Sequence, residues 1–268
     1  MAARGGRGVR IAALLAAVLL AGCSAYGDGM GDILRGQGIA AREPNYDVPY
    51  VPTPEPVVDA MLDMAQVGPA DTVIDLGSGD GRITIAAARK GAAASGVEID
   101  ATLVDRARRN AALYALQDRA HFSNANLFDV PLRQASVVTM YLLPRINMAL
   151  RPRLLTELKP GTRIVTHAFD LGDWRADGER LVGDRRVYLW IVPAVAGGSW
   201  HATLPDGREV ALTFDQRFQD VTGMLGTVPL TGSLRGVALR FTAGGREYRG
   251  TVGEAAIVGE GWRAVRVE

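Results

Sequence analysis

Residues 72–82 read TVIDLGSGDGR, and they commit the chain to a fold. Residues 72–76 are a short β-branched run, the pattern of a strand buried on both faces. Gly77-Ser78-Gly79-Asp80-Gly81 follows at once, and Ile83, Ile85, Ala86 and Ala87 then predict a helix over 82–90. A strand, a glycine turn and a helix in that order aim backbone N–H groups and a helix N-terminus at a ligand. Gly77 and Gly79 match the G-x-G-x-x-G spacing of dinucleotide sites. Arg82 stands where the third glycine belongs, and Gly81 comes one residue early. Asp75 and Asp80 make the loop acidic. Carboxylates oppose a pyrophosphate and suit a cation, so an NAD-linked enzyme is disfavoured. S-adenosylmethionine, with its ammonium and sulfonium, is the cofactor these charges select. Glu98, 23 residues after Asp75, ends the next strand, where a carboxylate accepts from both ribose hydroxyls.

On either side of this stretch, a helix over 57–65 starts near Pro56, strands cover 94–98, 120–124, 136–142 and 162–169, and helices cover 101–114 and 146–158, the last opened or kinked by Pro152. This rhythm predicts an α/β fold, a doubly wound, mostly parallel sheet. After Phe169 it changes: 179–182 and 186–192, joined by Gly183-Asp184, suit an antiparallel hairpin. From Gly197 the chain turns β-rich. Trp200, Ala202 and Leu204 alternate, as do Val210, Leu212 and Phe214, then Val237, Leu239 and Phe241; Trp262 and Ala264 share a face opposite Val265 and Val267. Pro205-Asp206-Gly207 and Gly244-Gly245 read as turns, so a small antiparallel β domain or partial barrel is expected. It reads equally as a structural cap or as a docking module for a partner or substrate.

Val73-Ile74-Asp75-Leu76-Gly77-Ser78-Gly79-Asp80-Gly81-Arg82, with Gly96-Val97-Glu98-Ile99-Asp100, resembles the class I S-adenosylmethionine-dependent methyltransferases. Tyr50-Val51-Pro52-Thr53-Pro54, residues 139–144, Asn147, residues 158–162, residues 167–170 and Gly172-Asp173-Trp174 are similar to segments of a bacterial group akin to the lysine methyltransferases of the ATP-synthase c subunit. The resemblance covers roughly residues 50–194. It implies cofactor contacts from Asp75, Gly77, Ser78, Gly79, Asp80, Gly81, Glu98 and Ile99. Where such enzymes carry an aspartate for the adenine amine, this chain has Asn126, followed by Leu127; asparagine can accept through its carbonyl, or Asp129 takes over. The acceptor is expected at the ends of the fourth and fifth strands, where Tyr141 lines the transfer channel with Thr53 and Asn147. Tyr50 and Trp174 are expected as further walls. His167 and Asp170 lie close by, His167 reading as a satisfied strand histidine.

Arg4, Arg7 and Arg10 precede an apolar run at 11–21, too short for a bilayer, which needs roughly 20 residues. Leu20-Ala21-Gly22-Cys23 resembles a bacterial lipobox, which implies acylation of Cys23. Residues 1–22 are then a lipoprotein signal peptide and 23–48 a tether, followed by a methyltransferase domain over 49–195 and a β-rich domain over 196–268. Ser24 after the cysteine favours the outer membrane. Because the cofactor is cytosolic, the alternative is an inner-membrane protein facing the cytoplasm.

A single cysteine and three separated histidines offer no metal site, and a net charge of +1 gives no reason to expect a nucleic-acid partner. Little sequence between Phe169 and Glu179 is available for a lid, so a protein lysine is preferred to a small molecule as acceptor. The alternative is a non-catalytic envelope lipoprotein that keeps the fold for binding.

Overall fold

The computed structural model describes residues 50–267. Cys23 and the proposed leader and tether lie outside the described residues. Among the described residues no helix is long and apolar enough to cross a membrane.

The first half is a seven-stranded sheet. Helix α1 (Glu55–Met64) leads into β1 (Thr72–Leu76), α2 (Arg82–Arg89), β2 (Ala93–Glu98), α3 (Ala101–Leu113), β3 (Ala120–Asn124), β4 (Val137–Met140), α4 (Pro144–Glu157) and β5 (Arg163–His167). The hairpin β6 (Gly178–Val182) and β7 (Arg185–Ile191) follows. The strand order is β3-β2-β1-β4-β5-β7-β6, with β7 antiparallel to both β5 and β6. The order reverses at β1, between β2 and β4, so the crevice at the carboxyl ends of β1 and β4 is where such a sheet takes its ligand. Val57, Met61 and Leu62 of α1 join Ile83, Ile85, Val104 and Ala107 in one apolar cluster with Val73, Val137, Val165 and Val187 of the strands. Asp100 caps α3 by accepting from the Thr102 N–H at 2.8 Å. Pro152 does not end α4; it sits on the exposed side of the helix, where water can take the carbonyl that loses its N–H partner.

The second half is a closed antiparallel barrel: β8 (Gly198–Thr203), β9 (Glu209–Arg217), β10 (Asp220–Leu225), β11 (Val228–Arg235), β12 (Ala238–Ala243), β13 (Arg246–Val252), β14 (Ala256–Gly259) and β15 (Trp262–Arg266). Neighbours in sequence pair throughout, and β15 pairs with β8 to close the ring. Closure leaves no free strand edge. The interior is packed: Phe241 stacks on Tyr248 at 4.9 Å and meets Phe214 and Trp262 edge-on. Trp262 and Ala264 are buried and Val265 and Val267 are exposed, whereas Val237 precedes β12 and faces solvent.

The two halves join through the segment after β5. Trp174 stacks on Phe218 of the β9–β10 turn, with the Arg151 guanidinium 5.3 Å from the same ring. The Gln219 amide donates to the Arg175 carbonyl at 2.7 Å, and the Ala194 N–H donates to the Gly236 carbonyl at 2.8 Å. Trp174, expected in the acceptor channel, is therefore a junction residue, buried between Trp190 and the barrel.

Candidate active site

The glycine loop turns tightly. Gly81, the N-cap of α2, has φ +82° and faces the Phe122 ring and Ala107, so a side chain there meets both strain and collision. Gly79 has φ +53° and lies under the Tyr50 ring, close enough that a Cβ would stand 2.6 Å from it. Tyr50 is thus laid on the cofactor loop rather than on the acceptor side.

Asp80 does not offer its charge to a ligand. Arg82 binds it in a fork, Nε to Oδ1 at 2.9 Å and Nη2 to Oδ2 at 2.7 Å, and this pairing holds the carboxyl below its usual range against the opposing effect of burial. Asp75 departs further from the expected cofactor contact. It is 1% exposed, and both oxygens accept from hydroxyls, Thr139 at 2.8 Å and Thr84 at 3.1 Å. It braces the loop from beneath, joining β1, β4 and α2. Burial pushes its pKa up to about 7, opposed by the two hydroxyls.

Glu98 is left as the carboxylate at the mouth of the crevice. Oε2 accepts from the Gly79 N–H at 2.9 Å, and Oε1 from those of Ile99 and Asp100 at 2.8 and 3.0 Å. A carboxylate has about four acceptor sites. The arrangement leaves capacity for one ribose hydroxyl, where the spacing argument gave it two. Beside it Ile99 is 73% exposed, an apolar side chain at the mouth of the crevice. Asn126 and Leu127 are half-buried. The Asn126 carbonyl already accepts from the Phe128 N–H at 3.0 Å, so its amide nitrogen is the group with no protein partner among the described residues. Ser78 is buried against Gly96 with its hydroxyl unpartnered. A left-handed glycine turn, a fixed carboxylate with spare capacity, an exposed aliphatic side chain and an orphan hydroxyl fit a nucleoside-bearing cofactor.

The acceptor is expected at the ends of β4 and β5. Half-buried Tyr141 packs on His167, ring centroids 3.9 Å apart, and stacks on Phe169 at 6.4 Å. His167 Nδ1 is 3.2 Å from the Thr53 hydroxyl, while Nε2 has no partner among the described residues, so within them the histidine expected to be satisfied is only half satisfied. Burial, reinforced by the Arg185 charge, pulls its pKa down to about 4 and keeps the ring neutral. Asn147, fully buried, donates to the Phe169 and Asp170 carbonyls and leaves its own carbonyl free. The fold therefore gathers Tyr141, Thr53 and Asn147 around the turn after β5. Phe169 and the Arg82 fork escaped the sequence reading; Arg82 two residues after Asp80 was the signal for the fork.

A mostly parallel Rossmann-like sheet with a glycine loop and the Glu98 carboxylate at its switch point is the architecture of a class I methyltransferase. Residues 75–178 match the ANTKMT methyltransferase domain. The chain is 44% identical over 151 residues to a protein-lysine N-methyltransferase of Saccharolobus islandicus (strain REY15A), covering 54% of this chain and 94% of that one. It is 32% identical over 147 residues to the human lysine N-methyltransferase of the ATP-synthase c subunit, of whose length it spans 62%. The crystal structure of an RNA methyltransferase from Salinibacter ruber with bound S-adenosyl-L-homocysteine superposes with a TM-score of 0.53 and 49% identity, covering 53% of this chain and 94% of that one. The chain belongs to the class I S-adenosylmethionine-dependent methyltransferases, and S-adenosylmethionine is its cofactor. The matched domain ends before the barrel begins.

Proposed function

We propose that the enzyme N-methylates a lysine side chain of a protein. The observation that carries this reading is the acceptor wall: Tyr141 and Phe169 present aromatic surface, backed by a buried, neutral His167. The names of the Saccharolobus and human relatives support the same acceptor. Glu98, Ile99, the glycine loop and Asn126 would hold the cofactor, which supplies an electrophilic methyl group. The protein's own task is to place the amine and strip its proton. Aromatic faces hold an ammonium by about 0.5–2 kcal/mol, and exclusion of water lowers its pKa toward the neutral nucleophile. On the same side the buried Asn147 carbonyl has no partner among the described residues. The non-catalytic reading gains no support from a loop and carboxylate that are intact.

The test offers methyl-labelled S-adenosylmethionine with an envelope-protein extract and, separately, total RNA. Label on lysine is expected; label on RNA alone, the activity named for the Salinibacter protein, would overturn the reading. We propose further that Cys23 is acylated and anchors the enzyme in the cell envelope, at the outer membrane. An inner-membrane protein facing the cytoplasm is the alternative. A fatty-acid analogue should label the wild type and not Cys23→Ser; an unlabelled wild type would defeat the anchor.

A further inference from the structure

The segment ahead of α1 touches both halves of the site through one residue. The Thr53 carbonyl accepts from Arg82 Nη1 at 2.9 Å, and Arg82 is the fork that grips Asp80 of the cofactor loop. The Thr53 hydroxyl lies 3.2 Å from His167 Nδ1, and the His167 ring packs on Tyr141 at 3.9 Å. Asp80, Arg82, Thr53, His167 and Tyr141 therefore form one unbroken line from the cofactor loop to the acceptor wall. Thr53 and His167 are 3% and 0% exposed, so water does not compete for the contact between them.

Two proton arrangements satisfy the Thr53–His167 contact. If the ring donates from Nδ1, both the threonine hydroxyl proton and the Nε2 lone pair are left over, since the hydroxyl has no other partner among the described residues. If the hydroxyl donates to Nδ1, only the Nε2–H is left over. The second leaves fewer buried groups unsatisfied and is the lower in energy. We propose that Thr53 is a positioning residue that couples the two halves of the site, its hydroxyl fixing His167 as the Nε2–H tautomer and thereby the ring that backs Tyr141. This rests on the methyltransferase site and not on the identity of the acceptor.

Ring nitrogen spectra of the full chain test the tautomer directly. His167 is the buried one of three histidines and titrates near pH 4, so it is neutral at pH 7. The wild type and Thr53→Ser should show the Nε2–H form, and Thr53→Val a mixture. Calorimetry with S-adenosylhomocysteine should place Thr53→Val within about 3-fold of the wild type, because the carbonyl to Arg82 remains. Methyl transfer to the protein extract should fall about 10-fold in Thr53→Val and recover in Thr53→Ser. An Nδ1–H wild type overturns the proposal, as does a valine variant with unchanged tautomer and rate. A loss of cofactor affinity as large as the loss of transfer also overturns it, placing the effect in the loop. If the wild type labels no protein, the lysine reading fails, and the tautomer comparison still decides the role of Thr53. Thermal unfolding of each variant separates these results from misfolding.

Discussion

The barrel and the sheet domain treat buried polar atoms in opposite ways. In the barrel the indole N–H of Trp200 donates to the Ala196 carbonyl at 2.8 Å and that of Trp262 to the Arg249 carbonyl at 2.9 Å. In the sheet domain Ser78, Asn147 and His167 each keep a buried polar atom without a partner among the described residues, and all three stand at or beside the carboxyl ends of the strands. The other two such atoms, on Trp174 and Gln219, flank the junction. A core shaped for packing alone satisfies its polar groups, because each orphan costs about 1–3 kcal/mol. Orphans gathered at one strand end mark a site completed by what binds there. The barrel carries the larger cluster of aromatic rings and yet reads as structure.

The contrast is tested most severely in the barrel core. Trp262→Ala empties the centre of the barrel and should destabilise the protein by about 3–5 kcal/mol in urea unfolding. The affinity of the still-folded protein for S-adenosylhomocysteine should not change; a parallel loss would show that barrel and site are one functional unit. Glu98→Ala should do the reverse, weakening the cofactor by about 1–3 kcal/mol in calorimetry with little effect on unfolding. Unchanged affinity in a folded variant would remove Glu98 from the site.

A smaller effect bears on Asp75. Its pKa rises from 3.8 to about 7 on folding, so the native state holds the proton more tightly than the unfolded chain. Stability from this group is fully present below pH 4 and is lost as pH rises toward 7. Asp75→Asn, which is uncharged, should therefore gain on the wild type between pH 4 and pH 8, by about 2–4 °C in melting temperature for each kcal/mol. A difference that stays flat across that range would mean Asp75 is ionised beneath the loop throughout.

The elements of the sheet domain were legible because each declares itself locally. A β-branched run followed by glycines, as at 72–81, permits a strand and a tight turn and little else, and the boundaries of β1 and β3 fell where the pattern put them. One local rule misled: Val237 was expected to share a face with Leu239. Pro152 was expected to open or kink its helix, and the helix runs through it. In the barrel, β10, β11, β13 and β14 were not legible, since Gly223, Gly232 and Gly250 interrupt their alternation. Their reason is tertiary: a Cβ on Gly232 would stand 2.2 Å from the Arg240 carbonyl, and one on Gly250 3.0 Å from the Trp262 ring.

Spacing along a few adjacent elements was enough to specify the class of fold and the cofactor. It named the acidic residues of the site and could not say which of them is free. The folded chain alone settled that Asp80 is spent on Arg82, that Asp75 is sealed beneath the loop, and that Glu98 alone of the three faces the crevice with capacity to spare. It also brought Thr53 to His167 across 114 positions and sent Trp174 to the barrel. Such pairings depend on which residues the sheet order carries together, and a charge or a hydrogen bond takes its worth from the partner it meets and the water it loses.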